Sequence, residues 1–198
     1  MIRIATAKLP IGGVWRIERT EPNARVLQRP DPANDANPLG GNRFDSFSGN
    51  YGTLYFGTNL ETCFAETLAE FRLELQLKVF ADPDSKTMDW LRPATVPANW
   101  RILRVAVRAR VDSDLAFVDI NHPSTLAELN TRHDLMVRLS RYGVNDLDLG
   151  TVTGKDRRLT RCIAEYLYSM TDGDGQPLWS GIRYMSRHGE GRECWAVF

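Results

Sequence analysis

The chain has 198 residues, with 25 basic and 25 acidic side chains and a formal net charge of zero. No global field therefore draws it to nucleic acid or to an anionic membrane, and no apolar run approaches the roughly 18 residues that span a bilayer. The first residues, MIRIATAKLP, carry no signal-peptide hydrophobic stretch, and the three cysteines, Cys63, Cys162 and Cys194, are odd in number and scattered. That usage suggests neither a disulfide framework nor a zinc site and fits a reducing cytoplasm. A chain of this length is expected to form one domain, residues 1–198, burying about 70% of its unfolded surface.

In chain order, Val14-Trp15-Arg16-Ile17-Glu18 alternates as a first strand, with Arg16 on the face opposite Trp15 and Ile17. Taken alone, Arg16 reads as a solvated strand arginine. Residues 20–39, with Pro22, Pro30, Pro32 and Pro38, form a loop expected to lie over a cleft mouth. Gly40-Gly41-Asn42-Arg43-Phe44-Asp45 is a glycine-loaded turn carrying one arginine, and Thr53 to Gly57 is a short strand rich in β-formers. Asn59 caps a helix predicted from Leu60 to about Leu75, with Leu60, Phe64, Leu68, Phe71 and Leu75 as its apolar stripe. Glu66 lies nearly opposite that stripe, so spacing alone makes it a solvated glutamate. Glu70 is a second carboxylate on the same side, and Glu61 is an N-terminal helix charge.

Residues 81–99 are expected as another loop, and Arg101–Val111 as a strand with Arg104, Arg108 and Arg110 in a basic stripe. Leu115–Ile120 is a further strand. Ser124 caps a helix through about Leu139, where His133 is a surface residue because no second ligand stands at metal spacing. Residues 142–154 read as a polar connector. Asp156–Met170 is an amphipathic helix, and Asp172-Gly173-Asp174-Gly175 is a turn lacking the calcium-loop pattern. Gly181–Ser186 and Glu193–Phe198 close the chain as paired strands, with Ser186 as a turn residue at the end of the first. Nothing in the chain matches a Walker loop, a dinucleotide-binding glycine fingerprint or a nucleophile elbow.

The stretch from Gly40 to Arg72 organises the rest. An arginine on a glycine turn, a tyrosine on a strand and a glutamate on the next helix are spaced to meet in one cleft. That set suits an anionic, ribose-containing ligand: arginine for phosphate, tyrosine for a base, carboxylate for sugar hydroxyls or a cationic transition state. Val14-Trp15-Arg16-Ile17, Gly41-Asn42-Arg43-Phe44-Asp45, Gly52-Thr53-Leu54-Tyr55-Phe56, Glu61-Thr62-Cys63-Phe64-Ala65-Glu66, Gly181 to Arg187 and Cys194-Trp195-Ala196-Val197-Phe198 also occur in the order of the motifs of the RES domain family, which the chain resembles over essentially its whole length. One departure stands out: Asp45 occupies a position where that family commonly has asparagine.

The resemblance implies an α+β fold similar to ADP-ribosyltransferases, a split, mixed β-core with helices around a cleft for NAD+. It implies the toxin of a bacterial toxin–antitoxin pair, in the cytoplasm, with an Xre-like antitoxin as partner and a homodimer as assembly. It implies consumption of NAD+ as substrate, by hydrolysis or phosphorolysis of the nicotinamide–ribose bond, with no metal. Glu66 then stabilises the oxocarbenium-like sugar, Arg43 and Arg16 clamp the pyrophosphate, Tyr55 borders the nicotinamide, and Ser186 bonds the ribose or orients Glu66. Tyr51 is an alternative stacking residue. Two other readings stay open: a protein ADP-ribosyltransferase, and a catalytically silent interaction module using the arginine stripe.

Overall fold

The computed structural model describes residues 3–20, 28–71, 96–110 and 115–198. Seven strands form one mixed sheet: β1 (Thr6–Ala7), β2 (Val14–Arg19), β3 (Leu54–Gly57), β4 (Arg104–Ala109), β5 (Phe117–Asp119), β6 (Gly181–Met185) and β7 (Glu193–Val197). Their order is β1-β5-β6-β7-β3-β2-β4, and only β5 and β6 run parallel. Helices α1 (Leu60–Thr67), α2 (Ala98–Ile102), α3 (Pro123–Asn130), α4 (His133–Ser140), α5 (Leu149–Thr153) and α6 (Arg157–Tyr168) complete the described α+β fold.

Strand alternation divides the sheet into two faces. Val118, Ile182, Tyr184, Cys194 and Ala196 face α3–α6, where Leu129, Leu135, Leu139, Ile163 and Leu167 build the main core. Val14, Phe117 and Trp195 form a smaller cluster on the other face. Helix α6 is amphipathic as its spacing predicts, and the Asp156 carboxylate caps it by accepting from Arg158 N.

The sheet is open along one seam. Strand β2 pairs with β4 over six positions, but with β3 only at Trp15–Gly57. Beyond that pair the two strands part, and residues 16–19 of one and 53–57 of the other become the walls of a cleft.

Several elements differ from expectation. Helix α1 stops at Thr67, and a 3-10 turn follows at Ala69–Phe71; residues 72–75 and the side chain of Glu70 lie outside the described residues. The buried face of α1 is Thr62, Cys63 and Ala65, while Phe64 is 41% exposed. Small side chains let the helix approach the end of β3: a Cβ on Gly57 would meet Cys63 Sγ at 2.9 Å. Arg101 and Ile102 are helical, and Leu103 and Val105 are exposed, because β4 ends the strand order. The helix expected from Ser124 to Leu139 is two helices, capped first by the His122 ring and broken at Thr131, whose hydroxyl donates to Glu128 O. The connector 142–154 contains α5 and buries Leu147 and Val152. Of the two loops, residues 21–27 and 81–95 lie outside the described residues.

Candidate active site

The glycine turn begins the site. Gly41 has φ +74, and a Cβ there would stand 2.7 Å from Arg161 Nη1, so the position requires glycine. One Asp45 oxygen accepts from Asn42 N at 2.7 Å, and the other accepts from the Tyr55 hydroxyl at 2.8 Å. The Tyr55 oxygen in turn accepts from Phe44 N at 2.9 Å. The charge of Asp45 therefore organises the turn rather than pairing with its neighbour Arg43. Burial, with Asp45 beside it, raises the Tyr55 pKa well above the ordinary range.

Arg161 ties this turn to the loop before it. The residue is 2% exposed, and its guanidinium donates to Ser46 O and Gly40 O and makes a short bond to Asp31 O. Gln28, Arg29 and Pro30 are thereby held on the cleft wall, which places part of the predicted covering loop where it was expected.

The cleft has a volume of about 810 Å³. Arg16, Arg43, Tyr55 and Glu66 all line it, so the residues singled out on β2, the turn, β3 and α1 do converge. Arg43 is buried, its Cζ 5.3 Å from the centre of the Tyr184 ring. Glu66 reaches β7, where Cys194 Sγ stands 3.9 Å from its Oε1. Ser186 does not line the cleft: its hydroxyl accepts from His188 N at 2.9 Å and closes the β6–β7 turn. Tyr51 also lies elsewhere, stacked on Tyr168 at 3.9 Å. Glu61 is exposed in the first turn of α1, as a helix-terminal charge should be.

Tyr184, Arg187 and Arg157 are among the cleft residues that escaped the sequence reading, as are Arg19, Arg29 and Trp100. The first two lie inside a motif already singled out, where strand alternation puts Tyr184 on the face of Ile182. Arg157 opens α6, and a cation at a helix N-terminus opposes the macrodipole, which was the available signal.

The electrostatics are one-sided. Seven arginines line the cleft against three carboxylates, Glu18, Asp45 and Glu66, in a chain of zero net charge. Burial depresses the Arg43 pKa most, and Arg187 and Arg157 depress it further, while Tyr184 and Glu66 oppose them. Arg157 is likewise depressed, by burial and then by Arg187. Three guanidiniums thus repel one another in a partly dry site around one glutamate. Arg16 Nη1 and Arg157 Nη1 are buried and have no hydrogen-bond partner, and burial lowers the Arg16 pKa against the pull of Glu18. Buried donors without acceptors are costly, and both residues line the cleft, where a ligand's oxygens could serve as acceptors. Among the described residues no group of three or more His, Cys, Asp or Glu is placed to hold a metal.

The mixed sheet is thus parted along one seam, and the gap holds a cationic cleft with Glu66 on its wall. Residues 14–198 match the RES domain, and the chain belongs to that family, which is associated with toxin–antitoxin systems. No curated protein and no solved structure matches it.

Proposed function

We propose that the protein is an NAD+-consuming toxin that cleaves the nicotinamide–ribose bond. The observation that carries this reading is Glu66 beside the converging Arg43, Arg157 and Arg187 in one cleft. Nicotinamide leaves with the bonding electron pair, and the ribose acquires oxocarbenium character. Glu66 stabilises that charge, and its hydrogen bond to a ribose hydroxyl strengthens as the charge develops. Water or phosphate then attacks the anomeric carbon and loses a proton. Arg43, Arg157 and Arg16 hold the pyrophosphate. The Tyr55 hydroxyl is committed to Asp45 and Phe44, so Tyr55 contributes its ring to the wall. Ser186 is a positioning residue: it closes the turn that carries Arg187.

The partner in this reading is an Xre-like antitoxin that covers the cleft mouth near Gln28–Pro30, with the toxin acting as a homodimer on the cytoplasmic NAD+ pool. The deciding experiment measures nicotinamide release from NAD+ by purified protein, with and without phosphate, beside Glu66→Ala. Loss of at least a hundredfold in the variant is expected, and phosphate dependence names the acceptor. No release from folded wild type, but labelled protein in a lysate supplied with NAD+, would transfer the reading to protein ADP-ribosylation. Neither product would leave an interaction module.

A further inference from the structure

The cleft has a second cationic region that cleavage chemistry at Glu66 does not use. Arg104 opens β4 directly opposite Arg19, the last residue of β2. Both line the cleft, as do Arg29 and Trp100. The Arg104 Cζ stands 5.4 Å from the centre of the Trp100 ring, and Phe71 meets that indole edge-on at 6.1 Å. Helix α2 delivers Trp100 and β4 delivers Arg104, so the pair sits where one element passes into the next.

The position of this pair is set by the seam. The cleft starts at Trp15–Gly57, next to the helix that carries Glu66. Arg19 is four residues further along β2, roughly 13 Å at strand rise. The outer cations are thus set off along β2 from the end next to Glu66, and by strand alternation Arg19 and Arg104 share the face of Trp15 and Ile17 rather than that of Arg16.

A nicotinamide dinucleotide placed with its nicotinamide ribose at Glu66 and its pyrophosphate at the inner arginines extends its adenosine along β2 toward Arg104. An indole with a guanidinium on its face is a stacking platform for a purine. Two arginines at directly opposite positions on neighbouring strands suit a phosphate monoester, whose two charges they can share through forked hydrogen bonds. An adenosine bearing only hydroxyls on its ribose brings no negative charge to those cations.

We propose that the outer cluster is a phosphate-monoester subsite and that the substrate class includes the 2′-phosphorylated dinucleotide NADP+, with Arg104 as the specificity-determining residue. This rests on the dinucleotide reading of the cleft. The test compares kcat/KM for nicotinamide release from NADP+ and NAD+ by wild type and Arg104→Gln. The expected result is NADP+ cleaved at least as well as NAD+, with the NADP+/NAD+ ratio falling tenfold or more in the variant. Refusal of NADP+, or a ratio unmoved by the substitution, overturns the subsite and leaves NAD+ cleavage standing. If neither dinucleotide is cleaved, calorimetry with adenosine 2′,5′-bisphosphate against adenosine 5′-monophosphate decides. Preferential binding of the bisphosphate, weakened tenfold in Arg104→Gln, keeps the subsite while the cleavage reading falls; no preference overturns the subsite as well.

Discussion

Glu66 depends for its position on a residue with no side chain. Gly57 is paired with both Trp15 and Cys194 in the sheet, and α1 rests on it through Thr62 and Cys63. A methyl group at Gly57 would stand 2.9 Å from Cys63 Sγ and 3.0 Å from Thr62 Cβ, so the helix must move outward. Gly57→Ala is expected to cost about 1–3 kcal/mol of stability, the usual penalty of overpacking, as measured by chemical denaturation. It should also lower nicotinamide release by more than that unfolding explains, because α1 carries Glu66. The same reasoning clarifies what could be read in advance. Arg43, Tyr55 and Glu66 were legible because each sits in a short local pattern: a glycine turn, an alternating strand, a capped helix. Arg157 and Arg187 were not, because their convergence is set by α6 and β6, which the chain brings in more than a hundred residues later.

At the scale of elements, the periodicity of α6 and the closing β6–β7 pair were plain, since both bury a regular apolar pattern. Helix α1 was misjudged. Its Leu60–Phe64–Leu68 stripe is regular, but contact at the end of β3 favours the smaller Thr62, Cys63 and Ala65. The seam itself leaves no trace in either strand, because which strands pair over how many residues is decided by distant partners. The tie between the glycine turn and its preceding loop was equally hidden, since Arg161 lies on α6 and bonds backbone carbonyls of both. Arg161→Met keeps the buried stem and removes the donors. Leaving Ser46 O and Gly40 O without their partner should cost about 1–3 kcal/mol. Limited proteolysis should then cut between residues 28 and 46 faster than in wild type; an unchanged cleavage pattern would show that the loop is held by other contacts.

For the whole molecule, the thiols make stability sensitive to alkali. Burial holds Cys63 at about 11, and burial with the Glu66 charge holds Cys194 at about 12, against an ordinary value of 9.0. A folded-state pKa above the unfolded one means that the unfolded chain loses its proton first as pH rises. The stabilisation is complete below about pH 9 and is lost as pH rises toward 11–12. Each thiol adds a slope of up to about 1.4 kcal/mol per pH unit in that window. Denaturation midpoints should be level from pH 7 to 8 and fall above 9, and replacing Cys194 with Ser or Ala should flatten that fall. The same burial predicts that an aromatic disulfide reagent at pH 8 titrates these thiols only as the chain unfolds.

The lone Trp15–Gly57 ladder pair between β2 and β3 divides the described sheet into two leaves. One leaf is β2 with β4; the other is β3, β7, β6, β5 and β1, backed by the helical core. The small leaf has a single full ladder and stands outside the main core cluster, so exchange of its backbone amides with deuterated solvent should run ahead of that in β6 and β7. A ligand gripping Arg16 on one leaf and Arg43 beside the other would act as a clasp across the seam. Exchange in β2 and β4 should then slow far more than binding at their surface would cause, and an antitoxin that props the leaves apart would silence the protein without touching Glu66.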